Sequence, residues 1–406
     1  MNLTTGLFFW PMTFPAAPAY PALEEDIECD VLIIGSGVSG ASCAYFFSET
    51  NLKIVVIDKR TVVSGCSSAN TGLLQFSNDK PLFSMINSFG ERKGTRHYQL
   101  CRQALAELGQ TIIRSLPFDP DFRQRDSLYF ASSEKDVAGL EKEFATLRKF
   151  DFPVRFLNSA DLKDSFGISK PAALLTTGDA EINTFKFAHG LLQYAQAKGV
   201  RIFEHTEMTG RTFKDGYMSV FTSNHREIKA RYIIMATGHE ALEEVSEKNA
   251  VLDSSYAIAT NRLVKEDLWK DHVLIWETAR PYLYMRTTVD NRIIIGGLDE
   301  RAAKSDQRDT MLYHKRDLLV AELVKLFPHL KGKVYPDYYW TGFFGNTHDG
   351  LPIIARYERF PNTYFVMGYG GNGTVSSIIS ARILRDEIAG EGSKDLAIYL
   401  NARNER

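Results

Sequence analysis

The sequence predicts a mixed fold: an α/β, Rossmann-like dinucleotide-binding domain with a second, α+β domain of mostly antiparallel sheet inserted into it. Three observations predict it. A branched apolar run, Val31–Ile34, leads into Gly35-Ser36-Gly37-Val38-Ser39-Gly40 and then into a helical stretch. A second glycine-rich strand-to-helix junction, Gly368–Thr374, stands near the other end of the chain. Between them, residues 251–298 read as consecutive strands. At 406 residues the chain is too long for one simple core, so two domains are expected.

The first junction is the most informative stretch. Val31–Ile34 has the continuous apolar character of a strand buried on both faces. Gly35, Gly37 and Gly40 match G-x-G-x-x-G. The first permits a tight turn, the second lets a pyrophosphate approach the backbone, and the third lets helix and sheet pack closely. The helix that follows points free N–H groups and its dipole at the phosphates. Ile54–Ile57 forms the second strand, and Asp58 at its end can accept hydrogen bonds from ribose hydroxyls. Strand, helix and acid together favour a dinucleotide site over a purely structural glycine turn.

The remaining elements follow from periodicity and punctuation. Residues 64–74 are small, hydroxylated and glycine-rich, a loop with many backbone donors. Helical spacing covers 81–116, 135–150 and 307–327; Ser159 is expected to cap a short helix, and Asn183 or Thr184 a longer one stopped by Gly199. Strands are expected at 127–131, 200–204, 218–222 and 230–236, the last running into Thr237-Gly238, and within 254–297 at four further places. Leu7-Phe8-Phe9-Trp10 has no basic residue before it and is followed by Pro11, Pro15, Pro18 and Pro21. It reads as an extended arm with its aromatics in a groove, and as neither signal peptide nor membrane span.

Composition excludes several classes. Hydrophobic content of 44% and charged content of 24% are those of an ordinary globular protein. A net charge of −2 gives no electrostatic reason for a nucleic-acid or anionic-membrane partner. Cys29, Cys43, Cys66 and Cys101 lack metal-ligand spacing, so no metal is expected; free thiols in a reducing, cytoplasmic setting are. Two glycine junctions can face two electron-rich parts of one cofactor, which suits a flavin.

At this point the ordered segments carry a resemblance. Asp30–Gly40, Asp58, the Ser67–Leu74 loop, Ala236-Thr237-Gly238, Gly296-Gly297, Thr347–Pro352 and Gly368–Gly373 resemble the D-amino acid oxidase (DAO) superfamily of FAD-dependent oxidoreductases, in the branch of glycine, sarcosine and γ-glutamylputrescine oxidases. The resemblance spans nearly the whole chain. It implies a GR2-type FAD domain built from 1–90, 181–250 and 336–406, and a substrate domain built from 91–180 and 251–335. It implies one FAD. Gly35–Gly40, with Ser36, Val38 and Ser39, would hold the pyrophosphate, Asp58 the ribose, and Lys59 and Arg60 would lie beside the adenine. Ser67, Ser68, Asn70, Thr71, Gly72 and Leu73 would run past phosphate, ribityl and flavin. Met208, Ala236, Thr237 and Gly238 would close the adenine end, and Gly371, Asn372, Gly373 and Thr374 would face the flavin pyrimidine. The implied reaction oxidises a carbon–nitrogen bond of an amine or amino acid. Hydride passes to flavin N5, water hydrolyses the imine, and oxygen or another acceptor takes the electrons.

The sequence departs from the family where a carboxylate is normally held. The arginine before the Thr-x-Asp-Gly signature is replaced by Phe344, and the lysine after the C-terminal glycine loop by Val375. Gly342 stands where sarcosine oxidase has its flavin-linking cysteine, so FAD is expected to be non-covalent. Either the substrate is an amine or has a remote carboxylate, or another cation substitutes. Arg286 is the candidate cation, with surface pairing to Asp290 or Glu300 as its alternative; Tyr282, Tyr284, Phe344, Asn346, Tyr369 and Gln75 are candidate pocket residues. Aromatics on alternate strand positions are also ordinary core. No Ser-His-Asp set or paired carboxylates stand out as catalytic. A flavin monooxygenase or NAD(P)H-linked reductase is the alternative, although no second G-x-G-x-x-G is present; a non-catalytic flavoprotein is the third reading.

Overall fold

The computed structural model describes residues 3–301, 305–390 and 392–400. Two sheets organise the described residues. In the first, Ile27–Ile34 lies centrally, parallel to Ile54–Ile57 on one side and to Glu227–Met235 on the other; Arg201–Phe203 and Thr363–Met367 extend the parallel order outward. Ile353–Ala355 closes one edge antiparallel, and the hairpin Met208–Lys214 with Tyr217–Thr222 extends from Glu227–Met235. Val31, Leu32 and Ile33 are fully buried, as the unbroken apolar run requires. Helix Val38–Phe47 packs on this sheet and against helices Thr184–Ala197 and Gly373–Ala389, where the Ser39 and Ser377 hydroxyls meet at 2.9 Å.

The second sheet is long and largely antiparallel. Its order is Thr4–Leu7, Pro336–Thr347, Ala250–Thr260, Ile293–Arg301, Leu283–Thr287, Leu274–Glu277, Arg123–Phe130, Ala172–Glu181 and Leu73–Leu74, with Val154–Asn158 branching from Ala172–Glu181. Leu274–Glu277 and Arg123–Phe130 run parallel, an exception within it. Pro336–Thr347 and Thr4–Leu7, which lie within the segments 336–406 and 1–90 expected to build the cofactor domain, are strands of this sheet.

Several elements differ from expectation. The stretch 81–116 is not one smooth helix: Leu82–Glu107 breaks at Gly90, whose φ of 79° lies outside helical space, and Leu108–Ile112 widens into a π turn. Its first turn is capped by Glu143, which accepts the Leu82 and Phe83 N–H groups at 2.8 and 3.1 Å. Asn158, not Ser159, caps helix Ser159–Phe166 by accepting from Ala160 and Asp161. The expected helix 307–327 is two helices, Ser305–Thr310 and Leu312–Leu326. The N-terminal arm is an edge strand followed by one helical turn, Phe9–Met12, with Phe9 and Trp10 buried. Among the described residues no helix is long and apolar enough to cross a membrane.

Candidate active site

The parallel strands end together, and their carboxyl ends deliver the glycine turns to one place. Gly35 follows Ile34, Asp58 follows Ile57, Ala236 follows Met235, and the Gly368–Gly371 turn follows Met367. Hydrogen bonds lock the ends in register: Gly35 N–H to Ile57 O at 2.8 Å and Ala236 N–H to Ile34 O at 2.8 Å. A cavity of about 410 Å³, lined by residues of both sheets, opens at these ends. Ligands of open α/β sheets sit in this position.

Around Asp58 the cavity is polar and pre-ordered. Asp58 accepts the Ser36 N–H and hydroxyl through Oδ2 and the Arg60 N–H through Oδ1, at 2.8, 2.6 and 2.9 Å. Glu240, unseen in the sequence reading, binds Lys59 at 3.1 Å and Arg60 at 2.7 Å. Burial pushes the Glu240 carboxyl up, but Arg60 and Lys59 outweigh it and hold it below its usual value. His239 lies beside them, and burial depresses its imidazole to about 4, so the ring is neutral. Gly345 makes room for that ring; a Cβ there would overlap it. Met208, Ala236, Thr237 and Gly238 line the same region.

The sequence-derived cofactor residues divide into lining and supporting positions. Gly35, Ser36, Gly37, Val38, Ser39, Ser67, Asn70, Thr71 and Leu73 line the cavity from the first junction and its loop; Gly371, Asn372, Gly373 and Thr374 line it from the second. Gly40, Ser68 and Gly72 do not. A Cβ on Gly40 would overlap the Gly35 carbonyl, which is the close packing the motif requires. Ser68 donates to Gly65 O at 2.8 Å and so holds the loop. Gly72, at φ 76°, lies against the Ile182 carbonyl.

These residues fit FAD. The N-termini of two buried helices, Val38–Phe47 and Gly373–Ala389, open on the cavity, as anion-binding and electron-rich groups require. Gly37 presents bare backbone there. The buried Thr237 and Thr374 hydroxyls line the cavity and have no protein partner, which is the state expected of groups that bond a cofactor.

The substrate candidates fare unevenly. Tyr282, Tyr284, Phe344, Tyr369 and Gln75 line the cavity. Gln75 turns its amide to the Ser127 hydroxyl at 2.8 Å, and Tyr369 donates to Val366 O at 2.9 Å. Two candidates are not brought into it. Asn346 is outside the lining and bonds Asp253 at 3.2 Å. Arg286 is also outside the lining and only 1% exposed. Its guanidinium donates to the carbonyl oxygens of Gly72, Ile182 and Thr287 at 2.8, 2.9 and 3.0 Å, stacks 5.3 Å over Trp10 and lies 3.9 Å from buried Glu181. Neither the carboxylate anchor nor the surface pairing with Asp290 or Glu300 describes it. Val375 is fully buried and likewise outside the lining.

Sequence reasoning missed Asp79, Trp276 and Asp299, all lining residues. Asp79 accepts the Gly371 N–H at 3.0 Å. Burial raises the Asp299 carboxyl to about 6, Asp79 and Asp253 add to the rise, and Ser255 and Lys315 oppose it. The paired glycines Gly296-Gly297 inside a strand were the available signal for Asp299, because such glycines mark bulges.

Comparison with known proteins decides the family. The description "DAO: FAD dependent oxidoreductase" matches residues 30–387. The chain belongs to this family. The DAO match takes in both glycine junctions and all the lining residues except Leu3. Among relatives, γ-glutamylputrescine oxidoreductase of Escherichia coli K12 is 25% identical over 393 residues, covering 92% of this chain and 87% of that protein. A D-amino acid dehydrogenase of Neisseria meningitidis serogroup C is 23% identical, covering 90% and 96%. The crystal structure of glycine oxidase from Geobacillus kaustophilus superposes with a TM-score of 0.78 at 18% identity, covering 93% of this chain and all of that one. As a DAO-family protein, the chain is an FAD-dependent oxidoreductase with the mixed two-sheet fold of that family.

Proposed function

We propose that this chain oxidises the carbon–nitrogen bond of an amine that carries no carboxylate on the reacting carbon. Its relatives, a γ-glutamylputrescine oxidoreductase and a D-amino acid dehydrogenase, support carbon–nitrogen chemistry. The charge inventory of the cavity carries the rest. Among the described lining residues, the fixed cations are Lys59 and Arg60, and both are engaged by Glu240. Arg286 is turned onto backbone carbonyls. Arg280 packs 4.8 Å over the Tyr282 ring but spends its guanidinium on the carbonyls of Glu277, Thr278, Ala279 and Asp79. A substrate α-carboxylate would find no bidentate partner.

Bound FAD supplies the hydride acceptor. The chain supplies orientation and a water-poor wall. Gly371, Asn372, Gly373 and Thr374 would hold the flavin pyrimidine, while Gly35–Gly40 with Asp58 would hold the adenosine diphosphate. Asn372 fixes the wall opposite by exchanging hydrogen bonds with the Gln75 backbone. Trp276 stacks on Tyr129 at 3.8 Å between ring centroids, and Tyr282 and Tyr284 sit 5.6 Å apart, giving aromatic faces to a cationic amine. The amine must lose a proton before hydride leaves its carbon.

The test is flavin bleaching under nitrogen by a panel of simple amines, amino acids and ω-amino acids, repeated in air for peroxide and with an artificial acceptor. Bleaching by amines and not by α-amino acids is expected. No bleaching by any amine, or stoichiometric NADPH oxidation, overturns the proposal.

A further inference from the structure

The cavity wall formed by Ala250–Thr260, Leu283–Thr287 and Ile293–Arg301 contains a break in register. Tyr256 pairs with Gly297 and Ser254 pairs with Glu300, so Leu298 and Asp299 together oppose Ser255. This is a β-bulge. Its first residue, Leu298, sits at φ 56°, in the left-handed region that a non-glycine residue enters only under constraint. Strand side chains alternate between faces, so one extra residue decides which side Asp299 occupies. In an unbroken ladder Leu298 would lie opposite Ser255, and Asp299 would lie opposite Ser254. With the bulge, Asp299 joins Ser255 in the cavity lining.

That placement sets the Ser255 hydroxyl against the Asp299 carboxyl and leaves one of its oxygens unsatisfied. Its Oδ1 is buried and has no hydrogen-bond partner. Asp79 lines the same cavity, and its charge reaches Asp299, as does that of Asp253. Tyr282, Tyr284 and Trp276 complete this wall; Tyr282 is 5.6 Å from Tyr284 and 6.4 Å from Trp276 between ring centroids. Lys315 is the cation acting on Asp299, and its amine is already bonded to Glu300 and to the Leu298 carbonyl. A half-buried acid with one buried, open oxygen, a second acid lining the same cavity and aromatic rings in the same wall form the complement of an ammonium group.

We propose that Asp299, assisted by Asp79, is a specificity-determining residue for a substrate with a second, non-reacting ammonium group: a diamine or longer oligoamine. The inference rests on the carbon–nitrogen oxidation proposed above and names its substrate class. The second ammonium donates to Asp299 Oδ1, separates the two like charges, and takes no part in the redox step. The reacting carbon loses a hydride to the flavin and its nitrogen loses a proton, whatever stands at the far end.

The experiment uses the FAD-loaded protein and three substrates of equal chain length: pentylamine, pentane-1,5-diamine and 5-aminopentanoate. The diamine is expected to exceed pentylamine in kcat/KM by about tenfold or more, the scale of one charge-assisted hydrogen bond; the aminopentanoate should be poorest. In Asp299→Asn and Asp79→Asn the diamine-to-monoamine ratio should fall about tenfold, with flavin content as the check on folding. If a variant fails to hold flavin, the wild-type series still decides. Equal kcat/KM for diamine and monoamine, or preference for the aminopentanoate, overturns the inference and leaves amine oxidation standing. Absence of flavin reduction by all three, and by the wider amine panel, overturns the underlying reaction instead.

Discussion

Arg286 Nη1 donates to the carbonyl oxygen of Gly72 at 2.8 Å. The bond joins the antiparallel sheet to the Ser67–Leu74 loop, which lines the cavity. The same nitrogen reaches Ile182 O at 2.9 Å, so Arg286 ties two chain segments across a Gly72–Ile182 contact too tight for any Cβ. A fully buried arginine with three carbonyl partners is a brace for the Ser67–Leu74 loop.

Arg286→Ala should therefore loosen cofactor binding and not substrate choice. Losing a buried charged donor set destabilises the fold by about 3 kcal/mol. Arg125, 3.1 Å from Glu181, keeps that buried carboxylate from being stranded. Thermal melts and flavin titration should show a lower Tm and weaker FAD binding. The ratio of KM values for carboxylate-bearing and simple amines should not move; a selective rise for carboxylates would restore the anchor role.

The two glycines of the first turn should separate folding from cofactor binding. A Cβ on Gly40 overlaps the fixed Gly35 carbonyl, so Gly40→Ala should cost about 3 kcal/mol of stability. A Cβ on Gly37 meets only the rotatable Ser67 hydroxyl, at 2.9 Å. Gly37→Ala should fold with near-normal stability yet weaken flavin binding by roughly a hundredfold, because backbone approach to the pyrophosphate is blocked. Similar melting losses in both variants, or normal flavin content in Gly37→Ala, would contradict this division.

Cys66 lines the cavity, yet its thiol is a poor nucleophile: burial pushes it up to about 12, Glu240 adds to that, and Arg308 only partly opposes it. Gly342 offers no thiol at all. Acid precipitation should release all flavin into the supernatant, and Cys66→Ser should retain the same FAD content. Flavin remaining in the washed pellet of wild type and absent from that of Cys66→Ser would show a covalent link.

What the sequence disclosed follows from how each part is encoded. Val31–Ile34 and Ile54–Ile57 are readable because strands buried on both faces must be apolar throughout, and the turn after Val31–Ile34 because only glycine fits at Gly35 and Gly40. Met208–Lys214 carries no alternation to read, because its two large apolar residues, Met208 and Phe213, fall on opposite faces among polar and glycine positions. The prolines of the N-terminal arm signal an extended chain, but Thr4–Leu7 gains a ladder partner more than 300 residues away in Pro336–Thr347, a pairing with no local signature. Arg286 was misplaced for a similar reason: its partners Gly72 and Ile182 come from distant segments, and only the fold shows that they meet. Asp299 was missed because a single-residue bulge, invisible to a period-two reading, moves it to the cavity face.

The pH dependence of catalysis should report Asp299. Its folded-state pKa is raised from 3.8 to about 6, chiefly by burial. The groups acting on it are Asp79 from the loop, Asp253 and Ser255 from Ala250–Thr260, and Lys315 from Leu312–Leu326; the Tyr282 and Tyr284 phenols, both held up by burial, stay neutral. The carboxylate that attracts the second ammonium thus exists above about pH 6 and is lost as pH falls through it. KM for a diamine should rise on the acidic side of that value, while KM for pentylamine lacks this step; Asp299→Asn should remove the step. Stability runs the other way. In the empty cavity the folded chain holds the Asp299 proton more tightly than the unfolded chain does. That contribution is fully present below pH 3.8 and is lost as pH rises through about 6. A diamine that pairs with the carboxylate should offset the loss, so its thermal shift should be larger at pH 8 than at pH 5. A shift independent of pH, or one that Asp299→Asn leaves intact, would place the second ammonium elsewhere.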